Sequence, residues 1–281
     1  MQRTVVFLFK IMPLEVMYGV MALVVPFYML FNNRGYRAIY HFFRRRMGKK
    51  ALTSVWHVYR NHFAFGQVVL DRFASYAGRR FKVVVEGNEH FQRLTEGDGG
   101  FVMLSSHVGN YEQAGYVLRP ERKKIYALVF DGESEVVKNG RAGRFADKGI
   151  VTVPVTADLS HLFLLNQALD EGQVVSMPAD RNNGSSKTVT CRFMGADADF
   201  PLGPFAITAQ KEAPALMVAV MKEKVHRYRA FVVPIEVDRT MSHRQQMAAL
   251  AQGFAQALEN IVKRYPHQWY NYYEFWHGER A

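Results

Sequence analysis

His107 and Glu112 stand five residues apart in the segment FVMLSSHVGNYEQAGYVL, residues 101–118. An imidazole beside a carboxylate is a general-base arrangement. The carboxylate fixes the ring tautomer and stabilises the imidazolium that forms when the ring takes a proton. Such a pair activates a hydroxyl and needs no covalent intermediate on the enzyme. On one continuous helix a spacing of five leaves the two side chains about 140° apart around the axis, so they would not meet. A strand–turn–helix corner would bring Glu112 back to the ring. A structural histidine is compatible with the same spacing, and by residue types alone both readings stand. No metal is expected, because no i, i+4 ligand pair with a third donor is visible. The lack of a G-x-S-x-G turn argues against a serine hydrolase. Cys191 is the one cysteine, which excludes an intramolecular disulfide, and it reads as a small buried residue of a strand.

The elements around this segment alternate between strand and helix. Phe101–Leu104 is a short continuous apolar run, the mark of a strand covered on both faces. Phe81–Val85, Val174–Met177, Thr188–Phe193, Leu216–Met221 and Tyr228–Val237 read as further strands. Helices are expected over 51–78, around Glu89–Leu94, after Asp158 as far as Gly172, and from Pro204 to about Glu212. Ser242 and Gln245 form a capping box for a long helix that Pro266 stops. This alternation predicts an α/β domain with a parallel or mixed sheet. Ligands then bind outside the carboxyl ends of the strands, which is where His107 falls. Backbone N–H groups near Gly109 and Asn110, at the expected helix start, are candidates to hold an oxyanion.

The chain has 281 residues and a net charge of +11. Residues 34–50 alone hold seven cations and no acid, whereas residues 51–281 carry only +3. The basicity is therefore local, and no nucleic-acid partner is expected. Ahead of it lie 18 uncharged residues, Val16–Asn33. As a helix they reach about 27 Å, just short of a bilayer's hydrocarbon core, with Pro26 placed to kink them. The basic run then reads as a positive-inside flank or as a patch on anionic headgroups. The buried alternative, a core helix followed by a solvated basic one, has the same composition. The division expected is an anchor over 1–50 and a catalytic domain over 51–281.

The segment SSHVGNYE resembles the H-x4-[D/E] signature of the glycerolipid acyltransferase superfamily. Its S-x-H-x-G-N-[WY]-E form is similar to the late acyltransferases of bacterial lipid A biosynthesis, the lauroyl and myristoyl transferases. MPADRNNG stands where that family has a strand and D-x-D-x-G. GADADFPLGPFAITAQ resembles its F-x-G-x-x-x…G-x-x-x-L-A element, and YPHQWYNYYEFW its P-x-Q-[WY]-x-W ending. The resemblance implies a glycerol-3-phosphate-acyltransferase-like α/β fold, a mixed sheet flanked by helices with an N-terminal membrane-anchoring helix. It also implies an enzyme of the cell inner membrane, on the cytoplasmic face. The reaction implied moves a fatty acyl chain from acyl carrier protein to a hydroxyl of a lipid A precursor, with no cofactor.

Carried over to this chain, the resemblance makes His107 the base and Glu112 its orienting carboxylate. Ser106, Gly109 and Asn110 of the motif join the substrate-binding set. Gly203 and Pro204 fall where the family places its acyl pocket, although shaping a turn is the simpler role. Arg144, in the basic loop 138–149, is the candidate substrate arginine, with a solvated loop as the plainer reading. Ala179-Asp180-Arg181 departs from the family's D-x-D by putting a cation at an acidic position. Arg181 with Lys187 could hold a phosphate of the acceptor or of phosphopantetheine, while Asp180 could equally cap its loop. The departure keeps open another lipid acceptor (an aminolipid, a lysophospholipid or a pigment-type lipid) or a catalytically silent membrane lipid-binding protein. The aromatics from Trp269 to Trp276 read as packing or interfacial residues.

Overall fold

Short apolar runs separated by helical segments form one seven-stranded sheet. Its strands are β1 (Lys82–Glu86), β2 (Phe101–Ser105), β3 (Ile125–Val129), β4 (Ile150–Pro154), β5 (Val174–Pro178), β8 (Ala215–Lys224) and β9 (Arg227–Ile235). The computed structural model describes residues 9, 11–31, 33–129, 149–156, 158–181 and 187–277. Across the sheet the order is β1-β9-β8-β2-β5-β3-β4. β8, β2, β5, β3 and β4 run one way; β9 turns back antiparallel to β8 and carries β1 with it. β6 (Thr188–Phe193) and β7 (Ala196–Pro201) form a separate antiparallel hairpin. The sheet is mixed and the fold α/β, as the alternation required.

β2 lies between β8 and β5, which explains its lack of polar alternation. Val102 and Leu104 enter a core with Met217 and Phe254 on one face, while Phe101 and Met103 enter a second core with Ile125 and Val218 on the other. The helices are α1 (Leu14–Phe31), α2 (Asn33–His41), α3 (Ala51–Tyr76), α4 (Asn88–Glu96), α5 (Ala114–Val117), α6 (Ser160–Asp170), α7 (Leu202–Gln210) and α8 (His243–Arg264). The Ser242–Gln245 capping box forms, and α8 gives way to a 3-10 turn at Pro266. Asp158 accepts from the Ser160 N–H, and α6 begins at Ser160. Cys191 is buried in β6, where burial pushes its thiol up to about 12.

α1 runs through Pro26 as an 18-residue helix, and it is the one helix among the described residues long and apolar enough to cross a membrane. It does not stand apart. Leu14, Tyr18 and Val25 are buried, Tyr59 of α3 donates to the Ala22 carbonyl, and Gly66 leaves room for the Met21 side chain. The opposite side of α1 shows Leu23, Phe27 and Phe31 to the outside.

Candidate active site

The parallel register of β2 and β5 places the chemistry. Ser105 pairs with Pro178, and the Ala179 N–H donates to the Ser105 carbonyl. Two residues beyond the paired positions stand His107 on one strand and Asp180 on the other, so the adjacent strand ends bring the two side chains together. His107 Nδ1 lies 2.9 Å from Asp180 Oδ1, and the His107 backbone N–H donates to Asp180 Oδ2 at 2.8 Å. The Asp180 carboxyl is buried, which would raise its pKa. Coulombic attraction and hydrogen bonds from His107, with a smaller contribution from Arg181, more than offset this and hold it below its usual range. A carboxylate only accepts, so Nδ1 carries the proton, and in the neutral ring Nε2 presents a lone pair. An imidazole in that tautomer can take a proton from a hydroxyl placed at Nε2.

Glu112 has other partners. Its carboxylate receives the Tyr76 hydroxyl at 2.8 Å and the Arg72 guanidinium at 3.3 Å, both from α3. Burial works against the Arg72 charge, but Glu112, Tyr111 and Tyr76 outweigh it and hold the guanidinium above its ordinary value. The carboxylate on Nδ1 is therefore Asp180, where the family resemblance implied Glu112. The physical reason is the corner itself. After the loop the chain makes only a 3-10 turn, Tyr111–Gln113, and the four residues of α5, and this turn faces α3. Gln113 anchors it there by donating to Ser75 Oγ at 2.9 Å.

The loop holding His107 is braced from two sides. Gly109 N–H donates to the Gln268 carbonyl at 2.8 Å and Asn110 N–H to the Val220 carbonyl at 2.7 Å. These bonds correct the oxyanion expectation, because both N–H groups are already engaged within the protein. Gly109 has φ +54, and a Cβ there would strike the Val220 carbonyl, so only glycine fits. Tyr270 N–H donates to the His107 carbonyl at 3.1 Å, and Asn61 of α3 donates to the Trp269 carbonyl at 2.8 Å.

A cavity of about 260 Å³ starts at this loop. Ser105, Ser106, His107, Tyr111 and Glu112 line it at the carboxyl ends of the strands; Met103, Ile125, Ile150 and Val218 continue it back along the sheet face. It is polar at the His107 end and apolar beyond. The Ser106 hydroxyl is buried here with no hydrogen-bond partner among the described residues.

The family model of the bacterial lipid A biosynthesis acyltransferases matches residues 61–277. This chain belongs to that family. It is an acyltransferase, and its acceptor is a lipid. The crystal structure of the 1-acyl-sn-glycerophosphate (LPA) acyltransferase PlsC from Thermotoga maritima is similar at 14% identity and a TM-score of 0.41, covering 88% of this chain and 98% of that one. No curated protein matches the chain.

The structure distributes the expected site residues of this acyltransferase unevenly. Ser106, His107 and Glu112 share the cavity. Gly109 and Asn110 support the loop from behind, packed on β8. Asp180 does not line the cavity; both of its oxygens face His107. Arg181 donates to the Tyr270 carbonyl at 2.7 Å and lies over the Tyr273 ring, so part of its bonding capacity serves the fold. Lys187 is exposed beside the start of α7. Gly203 and Pro204 form the first turn of α7, away from the cavity lining. Arg144 lies outside the described residues. Trp269, Tyr270, Phe275 and Trp276 are buried packing residues. Sequence reasoning missed Arg72, Tyr76 and Asn61. Their signal was their recurrence on one side of the long helix α3.

Proposed function

We propose that the protein is a membrane-bound O-acyltransferase that moves a fatty acyl chain from the thioester of acyl carrier protein to a hydroxyl of a lipid A precursor. The observation that carries this reading is His107, with Nε2 as acceptor, at the polar end of an apolar cavity inside the family-matched region. Nε2 takes the hydroxyl proton as the oxygen attacks the thioester carbonyl. The tetrahedral intermediate collapses with loss of the C–S bond, and the imidazolium returns its proton to the thiolate. With the Gly109 and Asn110 N–H groups engaged, we assign the oxyanion to the Ser106 hydroxyl, a buried donor without a partner among the described residues. The apolar stretch of the cavity takes the acyl chain.

The anchor we assign is residues 1–50, which would hold the catalytic part, 51–281, at the cytoplasmic face of the inner membrane. The outward-facing Leu23, Phe27 and Phe31 and the basic run after α1 support this. The experiment is a transfer assay on membranes carrying the wild type or His107→Ala. Labelled acyl carrier protein thioesters are the donors, and an under-acylated lipid A precursor competes with total host lipids as acceptor. His107-dependent acylation of the disaccharide is the expected result. His107-dependent transfer to another lipid would overturn the acceptor, and equal transfer by His107→Ala would overturn the mechanism.

A further inference from the structure

We infer that Asp180, not Glu112, is the residue that positions His107, fixing the ring with its proton on Nδ1 and supporting the positive charge that Nε2 acquires. This rests on the proposed general-base reading and deepens it. The grip is bidentate and uses both carboxylate oxygens. Oδ1 faces the ring Nδ1 at 2.9 Å, and Oδ2 accepts from the backbone N–H of the same residue at 2.8 Å. One carboxylate therefore sets both the ring and the chain that carries it. The parallel pairing of Ser105 with Pro178 starts both loops from adjacent strand ends, so the sheet sets where the two side chains can meet.

Other groups face the pair from each neighbouring element. Arg181 adjoins Asp180 on the same loop and contributes to holding its carboxyl low. Tyr111, after β2, sets its ring edge-on to the imidazole. Tyr270 and Tyr273 come from the C-terminal segment, and burial together with the Asp180 charge keeps the Tyr273 phenol protonated. Glu112, on the turn after β2, has its charge met by Arg72 and Tyr76. Among the described residues Asp180 is thus the anion engaged with the ring. An asparagine at 180 cannot reproduce the grip, because its amide offers one acceptor and one donor to two N–H groups.

The test compares Asp180→Asn with Glu112→Gln in the full-length, detergent-solubilised protein, using two readouts. The first is the 15N spectrum of the histidine ring labelled at 107, which reports the tautomer whether or not any acceptor has been found. The wild type should show the proton on Nδ1, Glu112→Gln should retain it, and Asp180→Asn should lose that preference. The second is the pH dependence of transfer. Asp180→Asn should lower kcat by about 10²–10⁴-fold at little changed KM. It should also move the acid limb of kcat/KM to lower pH, because the imidazolium loses its counter-charge; Glu112→Gln should leave that limb in place. The inference is overturned if Asp180→Asn keeps the Nδ1 proton and the wild-type limb, or if Glu112→Gln is the variant that moves both. Should Asp180→Asn fail to fold, Asp180→Glu keeps the carboxylate and is read the same way. It is expected to retain the Nδ1 tautomer, and a lost tautomer in a folded Asp180→Glu protein would count against the inference. A wild type that shows the Nδ1 tautomer yet transfers nothing would sink the general-base reading and leave the positioning intact.

Discussion

Lys222 of β8 reaches Asp71 of α3 with nitrogen and oxygen 2.5 Å apart, and both side chains are withdrawn from water. Tyr18 of α1 and Tyr228 of β9 donate to the same carboxylate, and Asn110 Nδ2 reaches the Tyr228 hydroxyl at 3.4 Å. One buried pair thus ties the apolar first helix to the sheet and, through Tyr228, to the loop that carries His107. Buried charges with this many partners are costly to break singly and far less costly to replace together.

Lys222→Met should therefore destabilise the protein by about 3–5 kcal/mol, because it leaves the Asp71 carboxylate uncompensated. Asp71→Leu combined with Lys222→Met should recover most of that loss. Urea midpoints of the two variants, read by intrinsic fluorescence, decide the matter. Equal losses in both would show that the uncompensated Asp71 charge is not the source of the cost.

The Glu112–Arg72 pair should behave similarly at smaller scale. Glu112→Gln leaves a mostly buried guanidinium without its carboxylate, a loss of about 1–3 kcal/mol. Replacing Arg72 and Glu112 together by methionine should regain part of it. A thermal midpoint unchanged in Glu112→Gln would contradict the bracing role of this turn.

His57 Nδ1 and His267 Nε2 meet at 2.7 Å against the Phe43 ring. Burial, with Arg60, His57 and Lys49 nearby, lowers His267 to about 4 from its ordinary 6.5. The unfolded chain then binds the extra proton first as pH falls, so stability is fully present above pH 6.5 and declines from there toward 4. Urea titrations at pH 7 and pH 5 should show the loss, and His267→Gln should flatten it. An unchanged slope in that variant would assign the acid sensitivity elsewhere.

Membrane attachment should reside in the outer side of α1. Leu23→Glu with Phe27→Glu leaves the buried Leu14, Tyr18 and Val25 untouched but should release the protein from vesicles of anionic phospholipid in a flotation assay. Neutralising Arg44 and Arg45 should weaken binding only at low salt, by about 1 kcal/mol per charge. Arg46 is excluded from this set because its guanidinium lies 4.7 Å from the Trp276 ring centroid and serves packing. Retention of the double glutamate variant on vesicles would move the attachment surface off α1.

What was legible in the sequence was set by periodicity and capping. β2 showed itself as an unbroken apolar run, α8 by its Ser242–Gln245 box, and the corner after β2 by the histidine in it. β3 and β4 are missing from the sequence reading; β4 is an edge strand with Val151 and Thr152 exposed, so no continuous buried run marks it. The carboxylate facing His107 was misassigned for a different reason. The family signature names Glu112, whereas the pairing of β2 with β5 joins positions 73 residues apart, a relation that sequence order conceals. In sequence, Asp180 stands out by the departure beside it from the family pattern, not by the end of β5 that it follows.

The brace on the His107 loop has a consequence in time. The groups that hold it, the Gln268 carbonyl and the Tyr270 N–H, are synthesised some 160 residues after His107. At ordinary rates of synthesis that is a delay of roughly ten to thirty seconds. During that interval the first helix has already left the ribosome, while the loop after β2 lacks the two bonds that set its course. A nascent chain can therefore settle against its surroundings before it is competent for chemistry, and an interrupted one never becomes so.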